Sequence, residues 1–428
     1  MTDATQPTGP RPMGVRDVLR IPVYRRLIAG QAVSDIGDGI TLLMLLLVIN
    51  DLTGSSTALA LMAISEAVPH FTIGLFAGVY VDRWNRRSVM LAADLLRAGI
   101  VLSFAAVATA GILPLLYLLA FLQSSVATFF RPARGALLPR IVPPEGLPAA
   151  NSLAQGSQLI GTVVGAGIAG LLFGQFGSSV AGFAIDSATF LVSFAFISRI
   201  PSALGRISAA ADGEDEARAP VLRSMLEGLA IVRGSRLLAG SVIAAAVTML
   251  GLGAVNVLFV PLIVRELRVD PTWMAGLDFA QTSSMLMAAG IVTLLVRRLA
   301  PTTIISICLA GLGVFIGLLA GVSAIWQVLL ILFAVGWMVT PLQAMLQTIV
   351  QTTATDATRG RVVSLLQASL STASVASMAV GGVLGDLIGT RQVFVAASVV
   401  VIGAALLSVV LFRGVGVGTR PVPATPAT

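Results

Sequence analysis

Gly78-Val79-Tyr80-Val81-Asp82-Arg83-Trp84-Asn85-Arg86-Arg87 is a short charged hinge between two long apolar runs, one from about Thr57 and the other from about Ser88. One acid and three arginines in a turn of this kind predict a loop on the cytoplasmic face of a membrane, where arginine collects. Gly78 lets a helix end pack closely, and Asn85 tolerates the left-handed backbone of a tight turn. Asp82 can pair with the arginines or sit at the positive N-terminal end of a neighbouring helix.

Outward from the hinge, composition decides the class. Hydrophobic residues make up 56% of the chain and charged residues 11%, and the mean hydropathy is +0.95, which excludes a water-soluble domain of 428 residues. The net charge is +7, carried entirely by arginine, and the arginines sit in short loops between apolar runs. Membrane topology explains them, so no nucleic-acid partner is expected. Cys308 is the single cysteine and lies in an apolar run, which excludes an intrachain disulfide and the cysteine spacings of metal or haem sites. No metal and no cofactor are expected. Without a lysine there is no nucleotide-binding loop of the G-x-x-x-x-G-K type, so an ion gradient is the expected energy source. No soluble catalytic domain is evident, and an enzyme is not expected.

Runs of about 20 residues, the length a bilayer core requires, lie near 26–49, 57–80, 88–110, 114–133, 149–174, 179–198, 236–263, 273–296, 302–320, 324–346, 362–386 and 392–412. The predicted fold is an all-α polytopic membrane protein of twelve transmembrane helices. Residues 1–25 form a cytoplasmic N-terminal tail with no evident cleavable signal, and 413–428 a disordered C-terminal tail. Between the six-helix halves 26–198 and 236–412 runs a cytoplasmic linker, 199–235, with a short helix on the membrane from Leu222 to Arg233. With both termini inside, 22 arginines fall in cytoplasmic segments, three outside and two within spans. A shift of 212 residues aligns Ser152-Leu153-x-Gln155 with Ser364-Leu365-x-Gln367, Gly78 with Gly290 and Arg86 with Arg298. The two halves therefore read as parallel, pseudo-symmetric repeats.

The spacing G-x-x-x-D-R-x-x-R-R over Gly78, Asp82, Arg83, Arg86 and Arg87 resembles the loop between the second and third helices of the major facilitator superfamily, with Asn85 where that family usually has glycine. The resemblance covers roughly residues 20–412. It implies two rocking halves with cargo held between them near the midplane, and a hinge loop that helps latch one conformation. Leu294 stands opposite Asp82 in the second half, which confines that latch to the first. Gly161-x-x-x-Gly165-Ala166-x-x-Ala169-Gly170, with Gly167 inside it, is similar to the exporter signature of the superfamily, although Ala166 and Ala169 replace its proline and one glycine. Phe130-Arg131-Pro132-Ala133-Arg134, followed by Leu138-Pro139 and Ala150-Asn151-Ser152-Leu153, looks like the macrolide-efflux and siderophore-exporter branch.

Ionisable groups inside spans cost about 2.5–3.5 kcal/mol on insertion scales, which makes each a functional candidate. Asp35 and Asp38 lie one turn apart in the first span, Glu66 and the lone histidine, His70, in the second, and Asp94 and Arg97 in the third. Asp35 and Arg97 are each about nine residues from the cytoplasmic end, roughly 13 Å at helical rise, so they are expected to pair. Asp38 and His70 lie deeper, and Asp38 is the first candidate to load and release protons. Asp186, Asp278 and Asp386 are expected in a wet outer vestibule, and Arg131-Pro132 is expected to close the fourth span. Met44, Phe71, Met249, Phe259, Met285, Met287, Trp337 and Met338 are candidates to line a cavity for apolar cargo.

The expected function is a proton-coupled exporter, an antiporter of amphipathic small molecules working by alternating access in a bacterial plasma membrane. Its partners are the small-molecule cargo, protons and the bilayer, and one chain suffices. A dedicated siderophore exporter or an uptake symporter on the same fold is the alternative, and a non-transporting sensor or scaffold a remote one.

Overall fold

Apolar runs and their punctuation fix the helices. Pro22 opens α2 (Pro22–Thr53) where its missing N–H costs nothing, and Gly54 closes it with φ 60°. Before it stands a five-residue helix, α1 (Val15–Leu19). The computed structural model describes residues 13–177, 179–205 and 221–413, and for Leu75, Gly78, Val79, Asp82, 221–226, Thr293, Asp356 and Ala357 the backbone alone. The expected tail 414–428 and the acidic part of the linker, 206–220, lie outside the described residues, as do residues 1–12.

The run expected as one span at 57–80 is two helices, α3 (Ser56–Thr72) and α4 (Gly74–Arg83), with the joint at Ile73. The joint is slight: Ile73 keeps helical angles, φ −78° and ψ −36°, and its amide donates to the Pro69 carbonyl at 2.9 Å, while Pro69 itself, which removes an N–H from the turn before it, is carried inside α3. Next come α5 (Arg86–Ala110), α6 (Leu113–Ile141), α7 (Leu147–Phe176) and α8 (Val180–Ser198). The helix of the fourth span does not stop at Arg131-Pro132: α6 carries both Pro132 and Pro139 and runs to Ile141. After the linker follow α9 (Val221–Gly234), α10 (Arg236–Pro261) with a π-turn at Leu262–Glu266, and α11 (Met274–Arg298). The chain ends in α12 (Pro301–Leu319), α13 (Ile325–Thr353), α14 (Asp356–Ile388) and α15 (Thr390–Leu411).

Among the described residues, 10 helices are long and apolar enough to cross a membrane. The α3–α4 pair and α11, which occupy two further expected spans, are outside that group. The described residues divide into two compact units, one within Met1–Glu216 and Arg268–Asp278, the other within Ala217–Leu267 and Phe279–Thr428.

In the first unit α2 is the central helix, packed on α7 and α8, while α5 packs on α6 and α8. Small residues allow the α2–α7 approach. A Cβ on Gly165 would lie 2.2 Å from the Ile36 carbonyl oxygen, and one on Gly39 would lie 2.8 Å from that of Thr162, so the two backbones touch. The Tyr24 hydroxyl donates to the Ala150 carbonyl at 2.8 Å and ties the start of α2 to α7. In the second unit α10 packs on α14 and α15, and α12 on α13 and α15. The helix expected at Leu222–Arg233 is α9, which packs on α14 and joins it through a 3.0 Å Glu227–Arg361 ion pair.

Candidate functional site

The hinge loop has a different local logic from the one expected of it. Asn85 is extended, with φ −65° and ψ 112°, and its side-chain oxygen accepts from the Arg87 and Ser88 amides at 3.1 and 3.2 Å. It is the N-cap of α5 rather than a left-handed turn residue, which explains why asparagine serves where glycine was expected. Arg87 donates to the carbonyls of Ile197 and Ser198 at 3.3 and 2.5 Å, so it binds the C-terminal end of α8, where a cation is favoured. Arg83 is exposed and Arg86 half-buried. For Gly78 and Asp82 the backbone alone is described, so the Asp82 carboxylate lies outside the described residues.

Deeper in the first unit, α2, α5 and α8 converge on one guanidinium. Arg97 donates from Nη2 to Asp38 Oδ1, and its Cζ lies 4.1 Å from the centroid of the Phe190 ring, a cation–π contact. The pair is asymmetric: 9% of the Arg97 side chain is accessible against 43% of the Asp38 side chain. Arg97 thus pairs with Asp38 and not with Asp35. The Asp35 carboxylate instead accepts from Ser157 of α7 at 2.8 Å.

Two more carboxylates adjoin the pair. Asp94, one turn before Arg97 on α5, is 1% exposed. Ser193 of α8 faces it, yet neither carboxylate oxygen nor the Ser193 hydroxyl meets hydrogen-bond geometry among the described residues. Asp186 of α8 was expected in a wet vestibule but is completely buried, accepting from Thr41 at 2.5 Å and from Thr189 at 3.0 Å. Packing makes it so, because Gly37 lies directly against this carboxylate and leaves no room for water. The signal for it was present in the sequence: Asp186, Thr189 and Ser193 fall at i, i+3 and i+7 and form one polar stripe on an apolar helix.

The other expected residues lie around this cluster: Glu66 and Arg131 are within electrostatic reach of Asp38, and His70 turns to its own neighbours. His70 is exposed, and its Nδ1 lies 3.1 Å from the Glu66 carbonyl oxygen and 3.0 Å from Ser124 Oγ. Glu66 is half-buried, and its carboxylate makes no hydrogen bond or ion pair among the described residues. Arg131 is exposed and donates to Gln158 at 3.3 Å; its helix continues past it, so it reaches α7 rather than closing a span.

The α7 glycines divide between two neighbours. Gly161 and Gly165 face α2 at Asp35 and Ile36, whereas Gly167 and Gly170 face Ala275 and Pro271 in the segment 268–278. Of the residues expected to line a cavity, Met44 does not: it is fully buried and fills the space over Gly182. Trp337 and Met338 line an apolar cavity of about 200 Å³ bounded by α11, α12 and α13, with Cys308 on its wall. Phe71, Met249, Phe259 and Met285 are half-buried, and Met287 is exposed.

A converging cluster of this composition can hold a guanidinium against an accessible carboxylate, and can store or exchange a small cation or proton away from bulk water. Comparison with known proteins gives the context. A family model described as Major Facilitator Superfamily matches residues 27–300 and 241–427. "Multidrug efflux pump Tap" of Mycolicibacterium fortuitum is 27% identical over 413 residues, covering 93% of this chain and 96% of that protein. "Macrolide efflux protein A" of Streptococcus pyogenes is 30% identical over 237 residues, covering 55% of this chain and 57% of that protein. Among solved structures, the nucleoside transporter NupG superposes with a TM-score of 0.74 at 13% identity, over 91% of this chain and 99% of that one, a likeness of fold.

Proposed function

The chain belongs to the major facilitator superfamily, and from that premise we propose that it is a proton-coupled exporter of amphipathic small molecules. It is a multi-pass membrane protein and a transporter rather than an enzyme, and efflux pumps are among its relatives. In the proposed arrangement twelve spans cross a bacterial plasma membrane with both termini in the cytoplasm, the broken α3–α4 pair and α11 completing the ten long apolar helices. The halves 26–198 and 236–412, joined by the linker 199–235, alternate access to a cavity. The chain acts as a monomer.

The observation that carries the reading is the Asp38–Arg97 pair. A cation sealed between α5 and α8 holds a carboxylate that lies deep among the helices of its unit and still keeps 43% of its side chain accessible. An accessible acid can exchange a proton, and a buried guanidinium that loses its partner must find another or move, which ties protonation to helix position. Asp35, held by Ser157 where α2 touches α7, couples the same helix to the glycine-rich face of α7. The hinge Gly78–Arg87 serves as the latch, with Arg87 holding the end of α8. Glu66, whose carboxylate makes no hydrogen bond or ion pair among the described residues, is the acid of α3 that meets cargo or a proton, and His70, Phe71, Met249, Phe259, Met285, Trp337 and Met338 contribute to the cargo path.

Uptake of amphipathic dyes and macrolides into inverted membrane vesicles from cells producing the protein tests this reading. Respiration-driven uptake that collapses on adding a protonophore supports proton-coupled export. Uptake that persists unchanged in the protonophore, or flux in the opposite direction, contradicts it.

A further inference from the structure

The cluster around Arg97 contains both halves of a hydrogen bond that is not made. Among the described residues Arg97 Nε is a buried donor without a hydrogen-bond partner, and Oδ1 and Oδ2 of Asp94 are buried acceptors without one. The two residues stand three apart on α5, a spacing that puts their side chains on one face within mutual reach. Buried polar groups are normally satisfied, so an unused donor beside unused acceptors marks a second arrangement of the same side chains.

We propose that Asp94 is a positioning residue that receives Arg97 when Asp38 gives it up, so that one guanidinium alternates between two carboxylates. The proposal rests on the reading of Asp38 as the proton-exchanging group.

The neighbouring groups narrow the choice of second acceptor to Asp94. Asp186 accepts from Thr41 and Thr189, which engage both its oxygens. Asp35 is held by Ser157 on α7. Glu66 on α3 interacts with Asp38 but not with Arg97, whereas Asp94 interacts with Arg97, and Arg131 and Arg134 on α6 are engaged with Gln158 and Gln31. The Phe190 ring lies under the guanidinium and gives it a flat surface over which to turn without entering water.

Proton balance follows from the charges. In the proposed cycle Asp94 carries a proton while Arg97 is on Asp38, with the Ser193 hydroxyl of α8 beside it. When a proton arrives on the accessible oxygen of Asp38, that acid becomes neutral and the charge-assisted bond to Arg97 is lost. Arg97 turns to Asp94, and the Asp94 proton passes to solvent on the accessible Asp38 side, through the space the guanidinium vacates, as the new ion pair forms. One proton enters at Asp38 and one departs from Asp94, so the cluster keeps its net charge while the cation moves from the α2 side to the α5 side. α2 is then free of α5.

Proteoliposomes carrying the full chain test the proposal, with a transported macrolide or dye as probe. Cargo-driven proton flux is measured from pH 5 to pH 9 for the wild type, Asp94→Asn and Asp94→Glu. Asn cannot take the guanidinium as a charged partner, so Arg97 stays on Asp38 and more acid is needed to release it. The acid limb of the Asp94→Asn profile is expected to move to lower pH by about one unit or more. Flux at neutral pH then falls at least about tenfold, while cargo affinity stays within about twofold because Asp94 does not touch the cargo path. Asp94→Glu, which retains a carboxylate within reach of Arg97, restores the wild-type profile. A wild-type profile in Asp94→Asn overturns the proposal, as does an equal loss at every pH that Asp94→Glu does not restore. A wild type that moves cargo without proton flux instead defeats the underlying reading of Asp38, and this inference with it.

Discussion

Replacing Gly37 by alanine should damage the protein far more than the same change at Gly99, although both glycines lie inside long apolar helices. A Cβ at Gly37 would stand 2.0 Å from Asp186 Oδ1, 2.1 Å from Thr189 Oγ1 and 2.9 Å from Asp186 Cγ. A carboxylate at the end of a side chain can often step aside, but this one is completely buried and bound by Thr41 and Thr189. It cannot yield without breaking those bonds or pushing α2 from α8. A Cβ at Gly99 would meet nothing within 4 Å.

The magnitudes separate the two variants. Gly99→Ala gains the helix preference of alanine, about 0.5–1 kcal/mol. Gly37→Ala gains the same amount and loses about 1–3 kcal/mol to overpacking. It loses a further 1.5–3 kcal/mol or so if the Thr41 bond to the carboxylate breaks. The net loss is expected at about 1.5–5.5 kcal/mol when that bond breaks, read by equilibrium unfolding in mixed micelles of increasing SDS content. Equal stability of Gly37→Ala and Gly99→Ala would refute the packing described for α2 and α8.

Asn85→Ala should cost about 1 kcal/mol through loss of the α5 N-cap, while Asn85→Asp retains the cap and costs a few tenths; the same SDS unfolding curves read both. Cys308, 3% exposed and on the wall of an apolar cavity, should react with a charged, water-soluble maleimide at least about tenfold faster after SDS denaturation than in the folded protein, since reaction needs an exposed thiolate. As the chain has no other cysteine, the label is counted directly by intact mass. Comparable rates in both states would show that the cavity opens to water.

The helices were legible because an apolar run of bilayer length has few other readings, and the hinge because its charges interrupt such runs. What failed was rotation and depth. Counting residues from the loops placed Asp35 and Arg97 at equal depth, but depth along one helix says nothing about which face meets another. The side chains of Asp35 and Asp38 point about 60° apart around α2, and that angle sends Asp38 to α5 and Asp35 to α7. Asn85 was misread because asparagine favours both left-handed turns and helix caps, and only the backbone separates them. Arg131-Pro132 looked like a helix end, since proline disfavours a helical residue before it. Inside a bundle, neighbouring helices and side chains compensate a proline, and α6 runs through two of them. Met44 was read as adaptable lining, and it is adaptable filling instead: it occupies the space that Gly182 leaves. Asp186 was judged by its distance to the helix end, which misses that Thr41 and Thr189 come from two helices to bury it.

Proton movement triggered by cargo in proteoliposomes, compared between the wild type and Asp38→Asn, tests the central claim most directly. The account predicts that addition of a transported macrolide or dye drives proton flux in the wild type, and that Asp38→Asn abolishes it although the variant inserts and folds normally. Equal proton flux in both proteins would contradict the assignment of Asp38, and cargo movement without any proton flux would contradict the proton-coupled exporter itself.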